Sequence, residues 1–203
     1  MKKIVSMILV FALCAAMLTG CGKSNTAPET TAPATTQETT QPAATYDSAL
    51  ALMEAIWASY DEGERFPAAG GDAEHDNMEG PGLFDLEKNA ETFQYLTLIN
   101  EELMAMLEND AATMLHMMNT NTFCSAAAAL KDPTSAADFA ESYKTLVQNN
   151  QWMCGFPDTV IVLSLGRYVI TAYGKDDPIQ TFKSKVLELE PQTTVLVEAP
   201  TEI

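Results

Sequence analysis

Several common signatures are missing from this sequence of 203 residues. It has four cysteines and two histidines, and no C-x-x-C pair, which removes a thioredoxin-type redox motif. No G-x-S-x-G elbow, phosphate-binding glycine loop or dinucleotide fingerprint occurs, so the familiar nucleophile and nucleotide motifs have nothing to attach to. Basic residues are scarce: 11 Lys and Arg stand against 28 Asp and Glu, a net charge of −17. A chain so acidic has no face for a nucleic-acid backbone and none for anionic lipid. The one long apolar run, Ile4 to Leu18, falls short of the roughly 20 residues a spanning helix needs.

That run reads instead as part of a secretion leader. Lys2 and Lys3 supply its positive start, and Leu18-Thr19-Gly20-Cys21 follows as a bacterial lipobox. The expected outcome is cleavage before Cys21 and acylation of its thiol, with the chain held to the membrane by lipid at that residue. Two acyl chains on one residue anchor stably where one is marginal. Losing residues 1–20 removes two lysines, leaving 9 basic against 28 acidic residues and a mature net charge of −19. Residues 22–45 carry no aromatic residue and no Leu, Ile, Val or Met. A segment of Thr, Ala and Pro with nothing to bury is expected to be a disordered stalk, reaching roughly 25–30 Å on average.

Residues 46–203 are long enough for a single domain with its own core. Helical spacing places Leu52, Met53, Ile56, Trp57 and Tyr60 on one face of a helix over 46–60, capped by Asp47 or Ser48 and stopped at Gly63. An acidic, Gly- and Pro-punctuated loop fills 61–82. Asn100 caps a second helix with Ile99, Leu103, Met106 and Leu107 on its stripe. Residues 111–118 either prolong that helix or form a short apolar segment. Residues 122–130 are also ambiguous: the alanines favour helix, while Thr122, Phe123 and the flanking turn residues favour the strand adopted here.

The last third is clearer. Asp132 to Ser135 breaks the chain, and a helix runs to about Trp152 with Ala136, Phe139, Ala140, Tyr143, Leu146 and Val147 facing inward. Thr159–Leu165 and Arg167–Gly174 form a hairpin around Gly166. Asp177-Pro178 starts a final helix with Ile179, Phe182, Val186 and Leu189 inward. Pro191 stops it, and 193–197 adds an edge strand. The expectation is an α+β fold, in β-α-β-β-α order behind two helices.

Five stretches carry a family resemblance. They are Ile-Asn-Glu-Glu-Leu at 99–103, the Met-rich 114–119, a strand before Lys131-Asp132, the amphipathic helix after it, and Leu165-Gly166-Arg167-Tyr168-Val169. Residues 96–189 thereby resemble an uncharacterised lipoprotein domain family of Clostridia-type Gram-positive bacteria. The resemblance supports the strand over 122–130 and implies a lipoprotein leader. It implies no catalytic residue or cofactor.

Three constellations bear on chemistry. Met114, His116, Met117 and Cys124 combine thioether, imidazole and thiol, the ligand types that suit Cu(I), against a plainer reading of methionine as core filler. Asp72, Glu74, His75, Asp76 and Glu79 place carboxylates in the acidic loop without the EF-hand spacing for Ca²⁺, so a solvated loop is expected. A disulfide between Cys124 and Cys154, outside the cytosol, would be worth roughly 3 kcal/mol. The sequence thus points to a membrane-anchored extracytoplasmic lipoprotein acting as a non-catalytic module for an unknown protein or small-molecule partner. An envelope hydrolase with an acidic site and a Cu(I)-buffering protein stand as alternatives.

Overall fold

The computed structural model describes residues 46–153 and 155–201. The leader, the lipobox Cys21 and the stalk lie outside the described residues, as does Cys154. No helix among the described residues is long and apolar enough to cross a membrane.

The fold is α+β, with helices on both faces of an open antiparallel sheet. In chain order the elements are α1 (Ala49–Ala58), β1 (Ala68–Ala69), β2 (Gly82–Phe84), α2 (Leu86–Thr97), α3 (Glu101–Met104) and β3 (Leu107–His116). These are followed by β4 (Phe123–Leu130), α4 (Ala136–Gln148), β5 (Thr159–Leu165), β6 (Tyr168–Gly174), α5 (Asp176–Leu189) and β7 (Thr194–Pro200). The strands run β1-β3-β4-β6-β5-β7, with β2 also paired to β3.

Alternate side chains on the central strands feed two separate cores. On one face Ala127, Ala129, Ile161, Leu163 and Ile170 pack with Leu52, Met53 and Ile56 of α1 and with Ile179, Phe182 and Val186 of α5. On the other, Ala126, Ala128, Val160, Val162 and Val169 meet Phe93 of α2, Leu103 of α3, and Phe139 and Tyr143 of α4. Because both faces are covered, every residue of β4 is buried. A strand buried on both faces loses the in–out alternation that identifies one, which is why its alanines read equally as helix.

The hairpin appears where the glycine signal put it. Leu165 pairs with Tyr168, and Gly166 takes φ 57° in the first loop position, as a two-residue turn with glycine leading requires. α5 and β7 also form as expected, with β7 extending to Pro200.

Other boundaries need correction. The first helix stops at Ala58, capped by Ser59, without waiting for Gly63. The second helix is one turn only, since from Leu107 the backbone is drawn into pairing with β4 and, further on, with β2. Residues 111–116 are therefore strand. The helix after Ser135 ends at Gln148, four residues before Trp152. α2 was not anticipated at all. It is polar, kinked at Asn89, and closed by Leu98 at φ 63° where a glycine would normally signal the end.

Nor is the acidic loop simply solvated. It contributes β1, a Gly70–Asn77 bridge and the side chain of Asp72, which is 4% exposed. Gly70 and Gly82 lie back to back, so a Cβ on Gly82 would sit 2.5 Å from the Gly70 carbonyl. One Asp72 oxygen accepts from the Glu74 and His75 amides and the His75 Nδ1; the other accepts from the Asp85 amide and Asn89 Nδ2. A carboxylate surrounded by five protein donors is a structural clamp.

Tyr46, where the described chain begins, is pinned at one end of the sheet. Its hydroxyl donates to Glu190 at the close of α5, and its carbonyl accepts from the Tyr168 hydroxyl beside the hairpin turn. Arg167 of that turn pairs with Asp110 at 2.7 Å.

Candidate functional site

At the opposite end of the sheet, the end of β3, the start of β5, the end of β6 and the first turn of α5 come together. The β5–β6 register, Thr159 against Gly174, sets Asp158 beside Lys175 and delivers Asp176 and Asp177 to the same rim. His116 arrives from β3, and Tyr60 and Phe66 from the segment after α1. Between them lies a cleft of about 620 Å³.

Its floor is aromatic. Phe66 stacks on His116 with ring centroids 4.9 Å apart and 9° between planes, and it meets Trp57 and Phe123 edge-on. His116 Nδ1 accepts from the Met118 amide at 2.9 Å, and burial holds the ring's pKa below the ordinary histidine value. The imidazole is therefore neutral at pH 7, with its proton on Nε2.

The rim is acidic. Glu64 pairs with Lys185 at 2.7 Å, and Asp158 with Lys175 at 2.9 Å. Asp176 accepts from Thr159 Oγ1 at 2.6 Å. Asp177 makes no side-chain bond among the described residues. The hydrogen bond from Lys185, with that from the Asp61 amide, holds Glu64 below the usual glutamate range. A general acid in a carboxylate-pair hydrolase needs the reverse.

Tyr60 is the unusual member of this set. It is 4% exposed and lines the cleft, yet its hydroxyl has no hydrogen-bond partner among the described residues. Burial, helped by the negative charge of Glu64, raises its pKa, so it presents a neutral O–H. A buried hydroxyl left unpaired costs roughly 1–3 kcal/mol.

The sequence-derived metal quartet does not assemble. Met114 is buried on the α1/α5 face of the sheet, whereas Cys124 faces α2 and α4 and donates to the Leu96 carbonyl at 3.2 Å. His116 stands in the cleft, and Met117 is 48% exposed on the loop beyond β3. Among the described residues no group of three or more His, Cys, Asp or Glu is placed to hold a metal ion. The pairing of Met114 with Ser125 and Leu115 with Cys124 accounts for this: Met114 and Cys124 are one register step apart and so fall on opposite faces. Among the described residues Cys124 is a free thiol, and burial pushes its pKa up to about 12.

A second hollow, about 670 Å³, lies on the α2/α4 face among Leu96, Leu98, Leu146, Trp152 and Tyr173. There the Tyr173 hydroxyl donates to Leu96 O at 2.6 Å, the same carbonyl that Cys124 uses, and Trp152 Nε1 lacks a partner among the described residues.

Sequence reasoning named Tyr60 as a helix-face residue, His116 as a member of the Cu(I) alternative and Asp177 as part of a helix start, whose N-cap is in fact Lys175, and it passed over Phe66, Asp158 and Asp176. The structure brings all six to one cleft. The class defined is an α+β domain with an aromatic-floored, acid-rimmed cleft at one sheet end. Comparison with known proteins found no matching family model, no similar curated protein and no matching solved structure.

Proposed function

We propose that the chain is an extracytoplasmic lipoprotein, anchored through lipid on Cys21, whose folded domain binds a ligand in the cleft at the start of α5 without transforming it. The observation that carries the binding reading is the cleft of about 620 Å³, whose lining includes Tyr60, a residue with a buried hydroxyl that has no partner among the described residues. Buried polar groups are paired as a rule, and one held unpaired beside a large opening is a group awaiting a partner. Support for anchoring comes from the leader and lipobox, and from the resemblance over 96–189 to lipoprotein domains.

The cleft's chemistry favours binding over catalysis. Its histidine accepts a backbone amide through one ring nitrogen, and two of its four carboxylates are neutralised by lysines.

Thermal unfolding of the mature chain against a panel of amino acids, sugars, nucleotides, amines and envelope fragments tests the binding reading. A ligand at a hundred times its Kd adds about 2.7 kcal/mol, a rise of several degrees for a domain this size. A stabilising ligand whose effect is lost in Tyr60→Phe supports the cleft; a panel without a hit counts against a small-molecule ligand. Anchoring is tested in the producing cell: Cys21→Ala should abolish incorporation of labelled palmitate. Retained label would refute it.

A further inference from the structure

We infer that the cleft selects an organic cation, an alkylammonium group on an aliphatic stem. This rests on the cleft being a ligand site and adds the class of ligand.

Charge decides the sign. Glu64, Asp158, Asp176 and Asp177 line the opening, and Lys175 is the one cation among the lining residues. That lysine is held by Asp158, so it is not free to receive an incoming anion. Among the described residues the Asp177 side chain has no partner, and the Asp176 side chain accepts only from the Thr159 hydroxyl, which brings no cation to it. With Lys175 and Lys185 offsetting Asp158 and Glu64, an anionic ligand entering here would still meet the two uncompensated carboxylates of Asp176 and Asp177, whereas a cation meets an attractive field focused into a concave site. His116 adds no opposing charge, because its Nδ1 accepts an amide proton.

The floor decides that the cation is organic. Phe66, Tyr60 and the neutral His116 offer ring surface, which stabilises an ammonium by cation–π attraction and a methylene stem by burial. The same aromatic cluster already holds one cation on another side, with the Arg65 guanidinium 5.4 Å from the Trp57 centroid. A volume of about 620 Å³ also far exceeds the space a bare ion occupies. A small shift of Tyr60 toward the cleft would offer its neutral hydroxyl, unpaired among the described residues, as an acceptor for an ammonium N–H.

Isothermal titration of the full mature chain, produced without residues 1–20 so that it stays unlipidated, tests this with four probes of matched length: 1-aminopentane, 1,5-diaminopentane, pentanoate and 1-pentanol. The amines should bind, the diamine more tightly, and pentanoate should not. Binding should weaken as salt rises from 20 to 300 mM. Asp177→Asn should weaken amine binding about two- to fivefold, and Tyr60→Phe about two- to tenfold. Binding of pentanoate or pentanol as tight as that of aminopentane overturns the cation class while leaving the cleft a ligand site. Silence with both amines at 10 mM also overturns the class, and the broader reading then stands or falls on the wider panel. Amine binding untouched by both substitutions puts the ligand elsewhere and overturns the assignment.

Discussion

Replacing Tyr60 by phenylalanine should make the ligand-free protein more stable. The perturbation removes one oxygen and leaves the ring, which packs 4.9 Å from Trp57 and 6.3 Å from Phe66 between centroids. The hydroxyl is buried and unpaired, so it contributes only its desolvation cost, roughly 1–3 kcal/mol. Allowing for the contacts of one lost atom, the expected gain is about 1–2 kcal/mol. At about 2–4 °C per kcal/mol for a domain of this length, the Tm should rise by about 2–8 °C. Tyr143→Phe is the matched control, because it removes a hydroxyl of the same chemistry that donates to the Thr97 carbonyl at 2.9 Å in the opposite core. That change should cost about 1–2 kcal/mol, through both the lost bond and the orphaned carbonyl. Urea unfolding of both variants without ligand, with unchanged m-values, measures the pair. If Tyr60→Phe destabilises by more than about 0.5 kcal/mol, the hydroxyl has a partner in solution and the argument for the cleft collapses. A gain in free stability together with weaker ligand binding is the trade expected of a binding group.

Further expectations follow from the rest of the fold. Asp72→Ala strips an acceptor from five donors and should cost about 3–5 kcal/mol in urea unfolding, and a loss under 1 kcal/mol would mean the clamp is ornamental. Burial alone would raise the Asp72 pKa, but the Asp85 amide, the His75 side chain and the Glu74 amide outweigh it and hold the carboxyl below its ordinary value. Its contribution is therefore complete above the unfolded aspartate pKa near 4 and lost as pH falls through the lower folded value. The stability gap between wild type and Asp72→Ala should accordingly shrink between about pH 5 and pH 2. In a Cys154→Ser background, Cys124 should resist iodoacetamide at pH 8 until the protein is unfolded, because its thiol titrates only near 12; fast labelling of the folded form would contradict that burial.

What was legible in the sequence, and what was not, follows from how each element is buried. The β5–β6 hairpin and α5 announce themselves because a glycine at positive φ and an Asp-Pro helix start are local requirements. β3 hides, since Glu108 to Asp110 are polar and at least partly exposed while Ala111 to Met114 are all buried, so no single period runs through it. α2 hides for a different reason: only Leu86, Phe93 and Thr97 of its twelve residues are buried, too few to make a stripe. The cleft was out of reach of any local pattern. Tyr60, His116, Asp158 and Asp177 are far apart along the chain, and it takes the registers of β3 on β4, β4 on β6 and β5 on β6, with the packing of α1 on that face, to set them around one cleft. The methionine-rich stretch drew attention to His116, but a strand's two-residue period divides such a cluster between opposite sides.

The pinning of Tyr46 beside the hairpin turn gives the domain a usable polarity. β5 alone separates that corner from the cleft by roughly 20 Å. The last described residue points the other way, since the Thr201 amide donates to the Asp158 carbonyl at the cleft's edge. A sensor chip or affinity bead coupled ahead of Tyr46 would display the opening to solution, and a purification tag added beyond Thr201 would crowd it. Any handle for studying recognition by this protein belongs on the leading side.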